Sequence, residues 1–175
     1  MKESFALHIL EKEDLPFVHH LYNNADIMKY WFEEPYYSMA QLEDHFQKSI
    51  HSENIRQFIF KKDSERLGYI GFYNIEQIHR KAEFGIMIDP QHQGKGYAKR
   101  AMKQAIDYAF SILNLHKLYL IVDQENEKAI HIYQKAGFQV EAELKDEYFV
   151  NGSYHNITMM SIFQHDYFSA LKDKK

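Results

Sequence analysis

An α/β (α+β) fold, strands and helices mixed within one domain of residues 1–175, is what this sequence predicts, and three observations carry it. The first is a strand, loop and helix in succession. Ala82-Glu83-Phe84-Gly85-Ile86-Met87-Ile88-Asp89 alternates, with Ala82, Phe84, Ile86 and Ile88 on one face, as a strand does. Pro90 ends it, since proline cannot donate to a ladder. Beyond Gln91-His92-Gln93-Gly94-Lys95-Gly96, the residues Ala98, Ala101, Met102, Ala105, Ile106, Ala109, Phe110 and Leu113 recur at intervals of three and four, which predicts an amphipathic helix. The second is a strand over residues 117–122 followed at once by Asn126-Glu127-Lys128-Ala129-Ile130-His131-Ile132-Tyr133-Gln134-Lys135-Ala136-Gly137-Phe138. Asn126 suits a helix N-cap and Gly137 the left-handed residue that ends a helix. The third is Asn151-Gly152, a hairpin turn between strands at residues 147–150 and 153–162.

The remaining elements follow in order. Residues 5–10 read as a first strand. Residues 13–24 predict a helix with Leu15, Val18, Leu21 and Tyr22 inward, broken by Asn23-Asn24-Ala25-Asp26. Ser38 caps a helix from Met39 to about His51, with Gln41 at the capping-box position and Leu42, Phe46 and Ile50 on one stripe. Strands are expected near residues 56–61, 67–76, 138–144 and 153–164.

Composition narrows the function classes. At 175 residues and 45% hydrophobic, the chain can bury a proper core, and no linker, repeat or low-complexity tract divides it. Met1-Lys2-Glu3-Ser4-Phe5-Ala6-Leu7-His8 has no continuous apolar run, and nothing approaches the 18 apolar residues of a membrane span. A cytoplasmic compartment is expected, with no membrane partner. Zero cysteines exclude a disulfide framework, a thiolate metal site and a cysteine nucleophile. A net charge of −4 does not favour nucleic acid and mildly suits a cationic substrate. The 11 histidines are scattered, and His19 and His20 point to different sides of their helix, so no metal site is expected.

A glycine loop between a strand and a helix N-terminus presents free N–H groups and the positive end of a helix dipole, a place that binds phosphate. Taken alone, Gly94-Lys95-Gly96 is as a rule only a tight turn. The dinucleotide fingerprint would need glycine at Lys99, and the nucleotide-triphosphate loop would need Ser or Thr after Lys95. The spacing that fits is Gln-x-x-Gly-x-Gly, and here the chain resembles the GCN5-related N-acetyltransferases (GNAT superfamily). The resemblance implies a single mixed, mostly antiparallel sheet flanked by helices, with acetyl-CoA as co-substrate and its pyrophosphate on this loop. By periodicity alone Tyr133 is a core tyrosine. In the family, an Asn-x-x-Ala-x-x-x-Tyr-x-x-x-Gly-Phe helix lies beside the coenzyme. The resemblance therefore brings Asn126 to the pantetheine arm and makes Tyr133 the catalytic residue, near the thioester sulfur. By the same likeness Ile86, Met87 and Ile88, then Gln93, Gly94, Lys95, Gly96, Tyr97, Ala98 and Lys99, match the coenzyme site. So do Lys128, Ala129 and Lys135 on the second helix.

The acceptor must be read from the N-terminal third. Met28-Lys29-Tyr30-Trp31-Phe32-Glu33-Glu34-Pro35-Tyr36 sets aromatic faces beside two carboxylates. Carboxylates pair with ammonium groups, and aromatic faces cover methylenes and attract cations. An exposed acidic loop flanked by core aromatics fits the same residues. The segment, together with Ile78-His79-Arg80-Lys81-Ala82-Glu83-Phe84, Asn114-Leu115-His116-Lys117-Leu118-Tyr119-Leu120 and Phe149-Val150-Asn151-Gly152, is similar to the bacterial spermidine N1-acetyltransferases. That likeness runs from about residue 5 to 168. It implies acetyl transfer to spermidine or spermine and a homo-oligomer, a dodecamer. The matching polyamine-contacting positions are Met28 and Glu33, Ser49, Ile50, His51 and Ser52, and Glu83, Phe84 and Gly85, with Glu83 either the base for the ammonium or only an anchor. Gln41 stands where a carboxylate is expected, Gly71 and Asn74 replace acidic side chains, and Gly85 replaces a glutamine. Those departures imply a weaker second polyamine site and altered allosteric control. Two other readings stay open: an acetyltransferase for protein N-terminal amines, of the ribosomal-protein type, and a non-catalytic module that senses the coenzyme or polyamine.

Overall fold

Strands β1 (Phe5–Ile9), β2 (Arg56–Lys62), β3 (Glu65–Glu76), β4 (Lys81–Ile88), β5 (Lys117–Asp123), β6 (Gln139–Val150) and β7 (Ser153–Phe163) hydrogen-bond into one sheet in the order β1-β2-β3-β4-β5-β7-β6. Only β4 and β5 run parallel; the other neighbours are antiparallel. The computed structural model describes residues 4–172, so Met1 to Glu3 of the N-terminal stretch read above lie outside the described residues.

Helices cover both faces. One core joins Phe58, Phe60, Ile70, Phe72, Ala82 and Phe84 of the sheet to Ala101, Met102, Ala105, Ile106, Ala109 and Phe110 of helix α4 (Tyr97–Ser111). The other joins Ile59, Tyr69 and Met87 to α1 (Leu15–Tyr22), α2 (Ala25–Met28) and α3 (Met39–Ile50). Alternation along β2 and β4 does the sorting, since neighbouring residues point to opposite faces. Leu21 and Ile59 are fully buried, and each contributes on the order of 1.5–3 kcal/mol by leaving water. Helix α5 (Glu127–Ala136) lies half-buried on the first core through Ala129, Ile130, Tyr133 and Ala136.

Local signals set the ends. Ser38 Oγ accepts from Gln41 N at 3.2 Å while Gln41 Oε1 accepts from Ser38 N at 2.8 Å, a capping box. Asn126 Oδ1 accepts from Ala129 N at 3.2 Å, and Gly137 closes α5 at φ +105°. Asn151 and Gly152 both have positive φ, 50° and 90°, as a two-residue type I′ hairpin turn requires.

Several expectations change. The first helix is shorter, preceded by a 3-10 turn over Lys12–Asp14. The break at Asn23-Asn24 is real, but Asn24 also starts a helix: its side chain accepts from Asp26 N and Ile27 N, capping α2. The two strands expected over residues 138–150 are one strand, β6, whose register slips between Leu144 and Tyr148, where Asp146 takes φ 51°. A bulge kinks a strand without ending it. Ile50 is 52% exposed rather than on the buried stripe, because α3 ends there. Helix α6 (Gln164–Lys172), which docks Tyr167 into the first core, was not expected at all.

Candidate active site

The ladder between β4 and β5 holds for three pairs, Lys81↔Lys117, Ala82↔Leu118 and Glu83↔Tyr119, although β4 runs on to Ile88 and β5 to Asp123. On its other side β4 stays paired with β3 as far as Gly68↔Ile88. The two parallel strands therefore part after Glu83 and Tyr119, opening a V in the middle of the sheet.

At the far end of β4 comes the glycine loop. Asp89 is buried, and its Oδ1 accepts from Gln91 N at 3.0 Å. Gln93 Nε2 donates to the Ile88 carbonyl at 3.2 Å and Lys95 Nζ to the Gln91 carbonyl at 3.1 Å, so the loop is tied back on itself. Gly94 and Gly96 both sit at φ +76°, and a Cβ built on either would meet nothing within 4 Å. Their need for glycine is thus one of backbone conformation and of open space in front. Gly96 is the N-cap of α4 and offers no side-chain cap, which leaves the first-turn N–H groups at Tyr97, Ala98 and Lys99 aimed at that space. This is an anion-binding arrangement, and its donors fit a pyrophosphate. Lys95 and Lys99 are exposed beside it, while Ile86 and Ile88 pack half-buried on the first core. Met87 points the other way, 3% exposed, so only its backbone faces the loop's side of the sheet.

A cleft of about 430 Å³ occupies the V, lined by Glu83, Phe84, Gly85 and Ile86 of β4, Ile121 of β5, Tyr148 of β6, Tyr133 of α5, and Trp31, Phe32 and Glu33 from the loop after α2. Tyr133 lies half-buried beside Phe138, ring centroids 5.8 Å apart. Burial pushes its phenol up to about 12, so at neutral pH it is a proton donor. Glu83 Oε2 accepts from Asn74 Nδ2 at 3.0 Å. Glu33 Oε2 accepts from the Tyr37 hydroxyl at 2.9 Å, and burial followed by that bond to Glu33 raises Tyr37 to about 12. Burial, then the charges of Glu83 and Glu147, pushes the Tyr148 phenol up as well. The cleft is therefore aromatic, with two carboxylates and protonated phenols: a setting for an organic cation. Asn126 caps α5 in the turn after β5, with Ala129 half-buried and Lys128 and Lys135 exposed on the same helix; of α5 it is Tyr133 that lines the cleft.

Not every matched position is gathered here. Ser49, Ile50, His51 and Ser52 line a separate groove of about 390 Å³ with Ile9, Phe46 and Arg56. Met28 is fully buried among the helices on the second core. Gln41 is spent in the α3 capping box. Conversely, sequence reasoning passed over Tyr73, Tyr148 and Ile121 as cleft residues. Gly71, a glycine standing alone within a strand, was the available signal for Tyr73, whose ring a Cβ there would meet. It also passed over Asp123, Glu125 and His155, whose ligand atoms lie within 4.8 Å of one another. Asp123 Oδ2 there already takes His155 Nδ1 at 2.7 Å and its Oδ1 takes Glu125 N at 2.8 Å, which serves the turn into α5.

The profile of the acetyltransferase (GNAT) domain matches residues 5–139. The chain belongs to the GNAT family. Among curated GNAT proteins, spermidine N(1)-acetyltransferase of Escherichia coli (strain K12) is 54% identical over 169 residues, spanning 97% of this chain and 91% of that protein. Among solved GNAT structures, spermidine N-acetyltransferase from Vibrio cholerae in complex with CoA and spermine aligns with a TM-score of 0.92 at 46% identity, covering 94% of this chain and 98% of that one. A dodecameric structure of the Vibrio cholerae enzyme in an intermediate state aligns at 0.85, with 46% identity over 95% of this chain and 97% of that one. The mixed, mostly antiparallel GNAT sheet with flanking helices that the sequence implied is the sheet observed.

Proposed function

We propose that this protein transfers the acetyl group of acetyl-CoA to a primary amine of a polyamine, spermidine or spermine, removing one positive charge per transfer. The observation that carries the reading is the cleft itself, a donor phenol on α5 and two carboxylates among aromatic rings, on the strand that leads into the glycine loop, in a chain 54% identical to a spermidine N(1)-acetyltransferase. The chain acts as one domain, in the cytoplasm, and assembles as a homo-oligomer, a dodecamer like its Vibrio cholerae relative. Among the described residues no helix is long and apolar enough to cross a membrane.

Positioning supplies much of the rate, because amine and thioester are held side by side in the V. Glu33 anchors an ammonium group. Glu83, directly or through a water, takes the proton that the acceptor nitrogen must lose before it attacks the carbonyl carbon. Backbone N–H groups between Ile86 and Ile88, at the splayed end of β4, stabilise charge gathering on the carbonyl oxygen. As the C–N bond forms and the C–S bond breaks, Tyr133 gives its proton to the departing sulfur. A phenol held near 12 is a weak acid yet a good hydrogen-bond donor throughout.

Polyamine binding in the Ser49–Ser52 groove is the regulatory contact in this reading, and it is weak. Arg56 lines that groove beside Glu53, so a cation opposes the polyamine there, and the neutral residues Gln41, Gly71 and Asn74 lie outside its lining and add no charge. One acetyl-transfer assay across spermidine, spermine, putrescine, longer diamines and N-terminal peptides tests the whole reading. Turnover with spermidine or spermine at a kcat/KM well above that with peptides is expected. Turnover with peptides alone would replace it by the protein N-terminal alternative, and no turnover at all by a sensing module.

A further inference from the structure

Gly71 and Gly85 face each other across the β3–β4 ladder. Lone glycines within strands mark the close approach of another group, and on both it is an aromatic ring. A Cβ at Gly85 would come to 2.6 Å from Trp31 Cη2 and 3.2 Å from its Cζ2; at Gly71 it would run into the ring of Tyr73. Trp31 and Tyr73 meet edge to face, centroids 6.4 Å apart at 83°. The rings of Tyr22 and Tyr69 lie 6.4 and 6.3 Å from Trp31. Tyr69 is fully buried; its hydroxyl bonds to that of Tyr73 at 2.8 Å and accepts from Gln57 Nε2 at 2.7 Å. The indole thus rests on a hydrogen-bonded aromatic block for which two glycines leave room, and it lines the cleft together with Glu33, Glu83 and Tyr133.

We infer that Trp31 is the acceptor-selecting surface of the cleft, and that Gly85 is the positioning residue that sets it. The inference rests on the polyamine reading and deepens it by naming the feature of the acceptor that is recognised. Burial pushes the phenols of Tyr22 and Tyr73 well up, so the block behind the indole is uncharged at neutral pH. The cationic ends of an acceptor are met by the two carboxylates, and the span between them by the indole face, which covers methylenes and attracts ammonium. The class that fits is an alkylamine with two ammonium centres separated by a methylene run. A monoamine forfeits one carboxylate, and a peptide N-terminus sets polar amides where the indole needs methylenes.

Trp31 is the single tryptophan of the chain, so its fluorescence reports this site without background. In a titration of the CoA-bound protein with spermidine, its emission should change and saturate near the kinetic KM. Trp31→Leu should raise the KM for spermidine roughly tenfold, the range of a desolvated cation–π contact, with the KM for acetyl-CoA within about twofold. Gly85→Ala should shift the Trp31 emission and raise the same KM. The double variant should be no worse than Trp31→Leu alone, because the glycine acts through the indole. If Trp31→Leu loses CoA binding by calorimetry and so fails to fold, Trp31→Phe, with a smaller rise in spermidine KM, takes its place. An unchanged spermidine KM in the folded Trp31 variant overturns the inference, and additive effects in the double variant overturn the role of Gly85. If the unaltered protein acetylates no polyamine, it is the proposed function that fails; activity with silent Trp31 variants removes only this inference.

Discussion

Phe32 and Tyr148 stack face to face, ring centroids 4.2 Å apart and planes 12° from parallel. Phe32 comes from the loop after α2 and holds φ +58°, a left-handed conformation that an aromatic residue rarely adopts. Tyr148 comes from β6, at the end of its second register shift. Both rings line the cleft, so the stack ties together two of its walls that are remote in sequence. Such a pair contributes roughly 0.5–1.5 kcal/mol beyond its buried area. Holding a residue in a sparse backbone region costs on the order of 1–3 kcal/mol. The two are comparable, so the stack offsets much of the cost of the Phe32 backbone conformation.

Removing the stack should loosen the acceptor end and spare the coenzyme end. Tyr148→Ala is expected to raise the KM for spermidine by about three- to tenfold, in line with the loss of one aromatic pair, with the KM for acetyl-CoA unchanged. Tyr148→Phe keeps the ring and should behave like the unaltered protein. Hydrogen exchange would read the same event as faster labelling of residues 29–37 in the alanine variant only.

The Tyr133 phenol carries a prediction in both rate and pH. General acid assistance is worth typically 10²–10⁴-fold, so Tyr133→Phe should lower kcat by roughly that factor with coenzyme affinity within a few-fold. Burial raises the folded phenol from 10.0 to about 12, so the stability it contributes is fully present below pH 10 and is lost as pH rises from 10 towards 12. Thermal melts should therefore fall less steeply over that window in the phenylalanine variant. An unaltered kcat would return Tyr133 to the role of core residue.

What could be read from the sequence was local. The strand, glycine loop and helix from Ala82 to Leu113 announce themselves because alternation, a proline stop and a helical period lie side by side, and Asn126 and Gly137 mark α5 by their capping chemistry. Helix α6 was missed because Tyr167, Phe168 and Leu171 give too short a period to stand out after an apolar strand. The fate of Met28 was illegible for another reason: in a four-residue helix no periodicity says which side faces the core. The seat of Trp31 over Gly85 joins a loop to a strand far along the chain, and only the folded sheet brings the two together.

The glycine loop can be tested apart from the acceptor cleft. Gly96→Val puts a β-branched side chain at φ +76°, where no neighbour crowds it, so the damage is to loop conformation and to the space an anion needs. Its affinity for CoA in calorimetry should fall by at least tenfold, as expected when helix-terminal N–H contacts to phosphate are lost. Spermidine should still change the Trp31 emission. Normal CoA binding would leave Gly94-Lys95-Gly96 as a turn and no more.

Glu33 should act by charge. Its Oε2 accepts from the Tyr37 hydroxyl, a bond that an amide oxygen can keep, so Glu33→Gln preserves both the volume and the local hydrogen bond while deleting the negative charge. The KM for spermidine should rise, by about two- to fivefold for one exposed ion pair. The salt dependence of that KM should flatten, because added salt screens an ion pair and leaves a neutral contact almost untouched. Glu34 is the control: it is adjacent, exposed and absent from the cleft lining, so Glu34→Gln should leave both quantities essentially unchanged. Equal and small effects from both substitutions would mean that the loop is merely a solvated acidic surface. The acceptor would then be one that needs no carboxylate at this wall, and the peptide-acetylating reading would gain what the polyamine reading loses.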